Sequence, residues 1–355
     1  MSQLFSPLTV RGLTLRNRLW VAPMCQYSAQ DGLPNDWHYV HLAQFASGGA
    51  GLVVAEATAV VPEGRITPED AGLWNDAQRD AWTPIVAAVH ARGAAAGIQL
   101  AHAGRKASTF SPFSGSRGSV PADQGGWTTR APSAVAFDGY ATPQELTAAE
   151  IDELVAAFAS AAVRAARAGF DVLEIHAAHG YLLHEFLSPL SNRRSDAYGG
   201  SLENRARLLL RIVSAVRDAA PDAPLFVRFS ATDWAEGGWD VAETATVSAW
   251  VRAAGADLLD ISSGGLVAHQ EITTGPGYQV PFAREIRRAV DAPVSAVGEI
   301  TSGAQAEQIL SSGDVDAIMA GREWLRDPHF GLRAADELGA DPAVWPPQYE
   351  RARRR

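Results

Sequence analysis

Two histidines and a tyrosine stand within one six-residue stretch, as His176, His179 and Tyr181. A neutral imidazole carries one N–H donor, so two rings converging on one point can hold a carbonyl oxygen between two donors. A phenol beside them can deliver a proton. Negative charge developing on the held oxygen would be stabilised there. From the residues alone, two other readings stay open. A single histidine beside an apolar run is more often a hydrogen-bonded core residue than a catalyst. A pair could also belong to a zinc site. The further ligands would then have to be isolated residues, and His184-Glu185 lacks the second histidine of a metalloprotease helix.

Other polar residues follow apolar runs in the same way: Ala22-Pro23-Met24-Cys25-Gln26-Tyr27, Glu56-Ala57-Thr58, Gln99 with His102, Arg105 and Lys106, Arg228, Ser262 to Gly265, Gly298-Glu299 and Gly321-Arg322. Gly321-Arg322, with Gly264-Gly265 and Gly298, suits a phosphate site, because glycine lets backbone N–H groups approach an anion and arginine adds a forked donor. Taken singly, each glycine is equally at home in a tight turn. Arg228 inside a barrel needs an anionic or electron-rich partner; the plain alternative is an internal salt bridge, for example to Glu56. Cys25 reads as a small buried hydrophobe or as a polarisable group beside a cofactor. The chain has 30 basic residues and only Lys106 is a lysine, which leaves 30 − 1 = 29 arginines. Its place after the third run favours a role at the site, neutralising a phosphate or pairing with a carboxylate.

The elements that would position these residues are legible. Eight short apolar runs alternate with helical patterns: 19–25, 51–60, 97–103, 171–177, 225–230, 257–262, 293–297 and 315–320. Strands alternating with helices imply βαβ units and a parallel sheet, and eight of them imply a closed (β/α)8 barrel with its site at the C-terminal strand ends. Thr147 to Glu150 forms a capping box ahead of Ile151, Leu154, Val155 and Phe158. The opening PLTVRGLTLRNRL predicts a β-hairpin turning near Gly12 and closing the bottom of the barrel. A Ser/Gly/Pro-rich stretch at 108–146 is long enough to be functional or mobile. A tail from Asp341 follows the last helix, and its terminal arginines read as a solvated basic end. We expect one domain spanning residues 1–355.

Composition narrows the classes. A net charge of −10 argues against nucleic acid, and a single cysteine excludes a disulfide framework or an iron–sulfur site within the chain. No signal-peptide layout and no membrane-length apolar run is present, so a cytoplasmic protein is expected. A dinucleotide G-x-G-x-x-G after a strand, a P-loop and a G-x-S-x-G elbow are all missing.

At the strand ends the chain resembles the old yellow enzyme family of FMN-dependent ene-reductases, closest to its bacterial thermophilic-like class. The resemblance is carried by 22–27 (APMCQY), 64–67 (GRIT), 97–106 (GIQLAHAGRK), the long block 169–205, 320–328 and 348–351 (QYER). It implies a (β/α)8 barrel with FMN at its mouth, held by Ala22, Pro23, Met24, Cys25, Ala57, Gln99, Arg228, Gly321 and Arg322, with Gly298 in the phosphate part. It implies that His176 and His179 bind the substrate carbonyl, that Tyr181 donates the proton, that Tyr27 touches substrate and that Cys25 tunes the flavin. Arg351 resembles an arginine that reaches into a neighbouring subunit, implying a homodimer or homotetramer. The implied activity is reduction of activated alkenes (enones, enals, maleimides) by NADPH or NADH in a ping-pong cycle. Two rival classes are a phosphosugar aldolase or isomerase on the same barrel, and a non-catalytic flavin-binding module. A strand-borne Schiff-base lysine would favour the first; the sole lysine lies beyond the third strand.

Overall fold

The protein is described by a computed structural model that covers residues 2–340 and 345–353. The expected start of the tail at Asp341 and the terminal Arg354 and Arg355 lie outside the described residues.

All eight expected runs form barrel strands: β3 (Leu19–Val21), β4 (Leu52–Ala59), β5 (Ala95–Ala101), β8 (Val172–Ala177), β9 (Leu225–Ser230), β10 (Leu258–Ser262), β11 (Val294–Ala296) and β12 (Ala317–Ala320). Each pairs in parallel with its sequence neighbours, and β12 closes onto β3. The strands are shorter than the apolar runs. Residues 22–25, read as part of the first strand, instead leave the sheet, and Ala22, Pro23 and Met24 line its mouth. The predicted hairpin is present as β1 (Leu8–Val10) and β2 (Leu13–Leu15), paired antiparallel across Gly12. Val10 and Leu15 pack with Trp20, Leu52, Val172, Phe226 and Leu258, so the hairpin plugs the lower end of the barrel with apolar side chains.

Helices cover the outside, and their ends follow local chemistry. Asn35, Asn75 and Thr147 cap α1 (Asp36–Ser47), α2 (Asp76–His90) and α3 (Ala148–Ala168), each closed by a reciprocal capping box. Gly169 ends α3 in the left-handed region and feeds β8. The stretch 108–146 does not float free. It contains β6 (Arg130–Ala131) and β7 (Gln144–Glu145), paired in parallel, and Arg194 donates to Pro132 O at 3.1 Å and Leu146 O at 2.7 Å. Among the described residues no helix is long and apolar enough to cross a membrane.

Strand periodicity splits each strand into two faces. On β8, Leu173, Ile175 and Ala177 join the helix-facing core, while Val172, Glu174 and His176 point inward. On β9, Phe226 and Arg228 point inward, and on β10, Leu258 and Asp260 do so. The interior is thus apolar at the hairpin end, charged in the middle and hydrogen-bonding at the mouth.

Candidate active site

β8 delivers His176 inward and then breaks into a turn that carries His179 and Tyr181. His179 takes φ 59°, an uncommon conformation for a residue with a Cβ, and the turn is held at successive groups. His179 N–H donates to Ser230 Oγ at 2.9 Å, and Lys106 Nζ donates to His179 O at 2.8 Å. Gly180 N–H donates to His184 Nδ1 at 2.9 Å, and His184 Nε2 meets the buried Asp233 at 2.8 Å. His184 is therefore structural, and its bare Nδ1 and protonated Nε2 hold the turn in place. The His176 ring centroid lies 5.2 Å from that of His179 and 5.2 Å from that of Tyr181. The three side chains singled out by spacing are one cluster.

Burial, followed by the charge of Arg228, holds His176 and His179 well below the ordinary histidine range, so both rings are neutral near pH 7. Burial likewise pushes the Tyr181 phenol well up, so it keeps its proton. His176 Nδ1 is buried without a hydrogen-bond partner, and His179 Nε2 lies 2.8 Å from Ser262 Oγ. Gln279 Oε1 already accepts from Ser263 Oγ at 2.7 Å and stands 3.3 Å from Ser262 Oγ. The Ser262 hydroxyl thus stands between Gln279 Oε1, to which it donates, and His179 Nε2. Among the described residues no group of three or more His, Cys, Asp or Glu is arranged to hold a metal ion.

Beneath the cluster lies a charged layer. Arg228 Nε bonds Asp260 Oδ2 at 2.9 Å across the β9–β10 register, and Ser295 Oγ donates to Asp260 Oδ1 at 2.8 Å. Arg228 thus pairs with Asp260 and not with Glu56. Glu56 accepts from Gln26 N–H at 2.9 Å and faces His38 Nε2 at 3.0 Å, so its oxygens are occupied elsewhere. Arg228 also lines the mouth cavity. Gln99 donates to Glu174 Oε1 at 2.7 Å. Burial and then Asp260 push Glu174 up to about 8, despite Arg228. Glu174 and Asp260 were missed in the sequence, although the signal was there: each is a carboxylate at an inward period-2 position in an apolar strand, which a core does not tolerate without partners.

A cavity of about 530 Å³ opens at this mouth, within the range of small-molecule sites. Of the ten expected cofactor residues, Ala22, Pro23, Met24, Arg228, Gly298, Gly321 and Arg322 line it, together with Ser262, Tyr278 and Gln279. Gly298 has φ 128°, and a Cβ there would come 2.9 Å from Gln279 Nε2. Cys25, Ala57 and Gln99 stand behind that lining. The Cys25 thiol meets the Ala57 backbone and the Tyr27 side chain, and burial keeps it protonated. Ala57 follows an irregularity in β4, where the register with β5 skips Glu56. Tyr27, with φ 50°, sets its ring at 6.0 Å from Phe113 of the 108–146 stretch.

Three expectations need correction or relocation. Gly264-Gly265 is not in the phosphate part of the cavity. A Cβ on Gly265 would lie 2.7 Å from the His179 backbone, and one on Gly180 2.1 Å from Gly265 O, so these glycines let two loops touch backbone to backbone. Lys106 neither neutralises a phosphate position nor pairs with a carboxylate; its Nζ donates to His179 O and, at 2.9 Å, to Gly265 O. Arg351 sits exposed in the 3-10 segment Pro347–Ala352. Residues 345–349 share a groove with Arg16, Ser47, Arg92 and Gly93, at the strand-entry end of the barrel and remote from the chain's own mouth.

A parallel barrel whose mouth holds neutral histidines above an arginine–carboxylate layer, beside a cavity of small-molecule size, has the layout of a barrel enzyme. The profile of the NADH:flavin oxidoreductase / NADH oxidase family matches residues 3–341. An "NADPH dehydrogenase" of Halalkalibacterium halodurans is 47% identical over 352 residues, 99% of this chain and 98% of that one. Among solved structures, morphinone reductase superposes with a TM-score of 0.80 at 30% identity, over 97% of this chain and 93% of that one. A 2-naphthoyl-CoA reductase superposes with a TM-score of 0.85 at 27% identity; it covers 95% of this chain, which spans about half of that longer protein. The chain belongs to this family, the old yellow enzymes. It is an oxidoreductase with FMN as cofactor and a reduced nicotinamide as electron donor. The residues present fit FMN: Arg228 brings a buried cation to the cavity lining, and Gly298, Gly321 and Arg322 offer backbone access and a cation for a phosphate.

Proposed function

We propose that this protein reduces the activated C=C bond of α,β-unsaturated carbonyl compounds (enones, enals, maleimides) with NAD(P)H. The observation that carries this reading is the cluster of two neutral imidazoles, His176 buried and His179 half-buried, with the half-buried, protonated phenol of Tyr181; the His176 ring lies 5.2 Å from each of the other two. When bound, FMN supplies hydride chemistry, accepting from the nicotinamide and passing on to the alkene β-carbon. Ala22, Pro23, Met24, Cys25, Ala57, Gln99, Arg228, Gly298, Gly321 and Arg322 hold and tune it.

His176 and His179 donate to the substrate carbonyl oxygen. Because they are neutral, they stabilise the enolate charge by hydrogen bonding without protonating the resting ketone. Tyr181 holds the proton for the α-carbon, and Tyr27 borders the substrate. One pocket serves donor and alkene in turn, which gives ping-pong kinetics. Arg351, remote from its own mouth, reaches the site of a neighbouring copy in a homodimer or homotetramer.

The visible spectrum of the purified protein and its turnover of NADPH with cyclohex-2-enone test the reading. A yellow protein with parallel double-reciprocal lines is expected, whereas a flavin-loaded protein that turns over no enone would overturn it. Ser262→Ala removes the hydroxyl that lies 2.8 Å from His179 Nε2 and helps to orient that ring. We expect it to raise the enone KM about five-fold, more than it lowers flavin content, in steady-state assays.

A further inference from the structure

The only lysine in the chain stands in the turn Gly104–Lys106 that follows β5, and no step above uses it. Its ammonium joins three loops of the mouth. Nζ donates to His179 O at 2.8 Å and to Gly265 O at 2.9 Å, and it lies 5.0 Å from the Tyr181 ring centroid and 4.9 Å from that of Phe137, in the 108–146 stretch. A compact ammonium can point separate hydrogens at two carbonyls while its charge lies over two ring faces. Lysine concentrates that charge on one strongly hydrated nitrogen, where arginine spreads it over a planar fork. Burial draws Lys106 down to about 8, partly offset by Glu185 and reinforced by Arg105, so the cation persists at neutral pH.

Tyr181 faces the opposite problem. Its immediate electrostatic neighbours, Cys25, Tyr27, Asp70 and Tyr140, all oppose loss of its proton, as does burial. A phenol that gives up a proton in such a site leaves a phenolate needing a cation. We propose that Lys106 is a positioning residue that makes Tyr181 a usable acid: its ammonium fixes the His179–Tyr181 turn through the His179 carbonyl and supplies the positive charge that stabilises the Tyr181 phenolate. The inference rests on the reading of Tyr181 as the proton donor.

A double-mutant cycle tests it. Pre-reduced, FMN-loaded enzyme is mixed rapidly with cyclohex-2-enone, and the return of oxidised flavin colour reports the alkene step. Lys106→Met is expected to slow that step about ten-fold, the factor equivalent to one pKa unit of the acid. In a Tyr181→Phe background, where the ring but not the acid remains, the same change is expected to cost less than about two-fold. Equal losses in both backgrounds, or no loss in either, would overturn the proposal. Lys106→Gln, which keeps donors but no charge, is expected to lose as much as Lys106→Met; restored rate with glutamine would also overturn it. Flavin content and melting temperature confirm that each variant folds. Independently, protein labelled with 3-fluorotyrosine gives a 19F resonance for Tyr181, assigned by its loss in Tyr181→Phe. That resonance is expected to titrate about one pH unit higher in Lys106→Met; an unchanged titration counts against the proposal. If Tyr181→Phe itself leaves the alkene step intact, the proton-donor reading fails, and the 19F titration still decides whether Lys106 and Tyr181 are coupled.

Discussion

Replacing both His176 and His179 by alanine is expected to slow enone reduction about 10³-fold while leaving most of the FMN in place. Removal of a single donor from a pre-arranged oxyanion site costs on the order of 10²–10³ in turnover, and here two donors act on one oxygen. Desolvation and then the charge of Arg228 hold both rings neutral, His176 beside Arg228 across the β8–β9 register and His179 with its Nε2 at 2.8 Å from Ser262 Oγ. The flavin contacts proposed for Gly298, Gly321 and Arg322 lie on β11 and β12 loops and do not involve either ring. The measurement is turnover with cyclohex-2-enone set beside the flavin-to-protein absorbance ratio. Parallel losses of turnover and flavin would contradict the carbonyl clamp, because the histidines would then be acting as cofactor supports.

The second large effect is expected at Arg228. Arg228→Met removes the cation that serves Asp260 and faces Glu174, and both carboxylates are fully buried. Breaking a buried ion pair from one side costs about 3–5 kcal/mol, since the stranded Asp260 must bind a proton or water. It also removes the guanidinium that lines the mouth. We expect a lower melting temperature together with loss of FMN on desalting. Combining Arg228→Met with Asp260→Asn is expected to recover much of the stability, because the stranded charge is gone, but not the flavin. A single variant that retains FMN at the full ratio would remove Arg228 from the cofactor site. Thermal melts and flavin absorbance on the two proteins separate these contributions.

The barrel was legible because its signals are local. β8, for example, alternates Leu173, Ile175 and Ala177 against Glu174 and His176, and the side-chain period of two converts that string directly into a helix-facing and an inward face. Asn35, Asn75 and Thr147 mark helix starts through hydrogen bonds within four residues. The His176–His179–Tyr181 cluster was legible for the same reason, since one turn at the end of one strand carries all three. The strand ends were less so. The first apolar run looks like a strand through Cys25, but only Leu19–Val21 pairs, and the residues beyond it line the cavity.

The sequence by itself determined the closed eight-fold alternation, the hairpin plug and the polar residues at each strand exit, because periodicity and capping act over a few residues. Only the tertiary structure decided which of those polar residues meet. Arg228 finds Asp260 because β9 and β10 pair side by side in register, with Arg228 opposite Asp260, while Glu56 has already met Gln26 and His38. Gly265 turns out to serve the histidine loop, since its backbone touches that of His179. Lys106 bonds carbonyls 73 and 159 residues away. Such pairings depend on how loops pack over a closed barrel, where burial leaves each charged or polar group only the partners that the fold brings within hydrogen-bond reach.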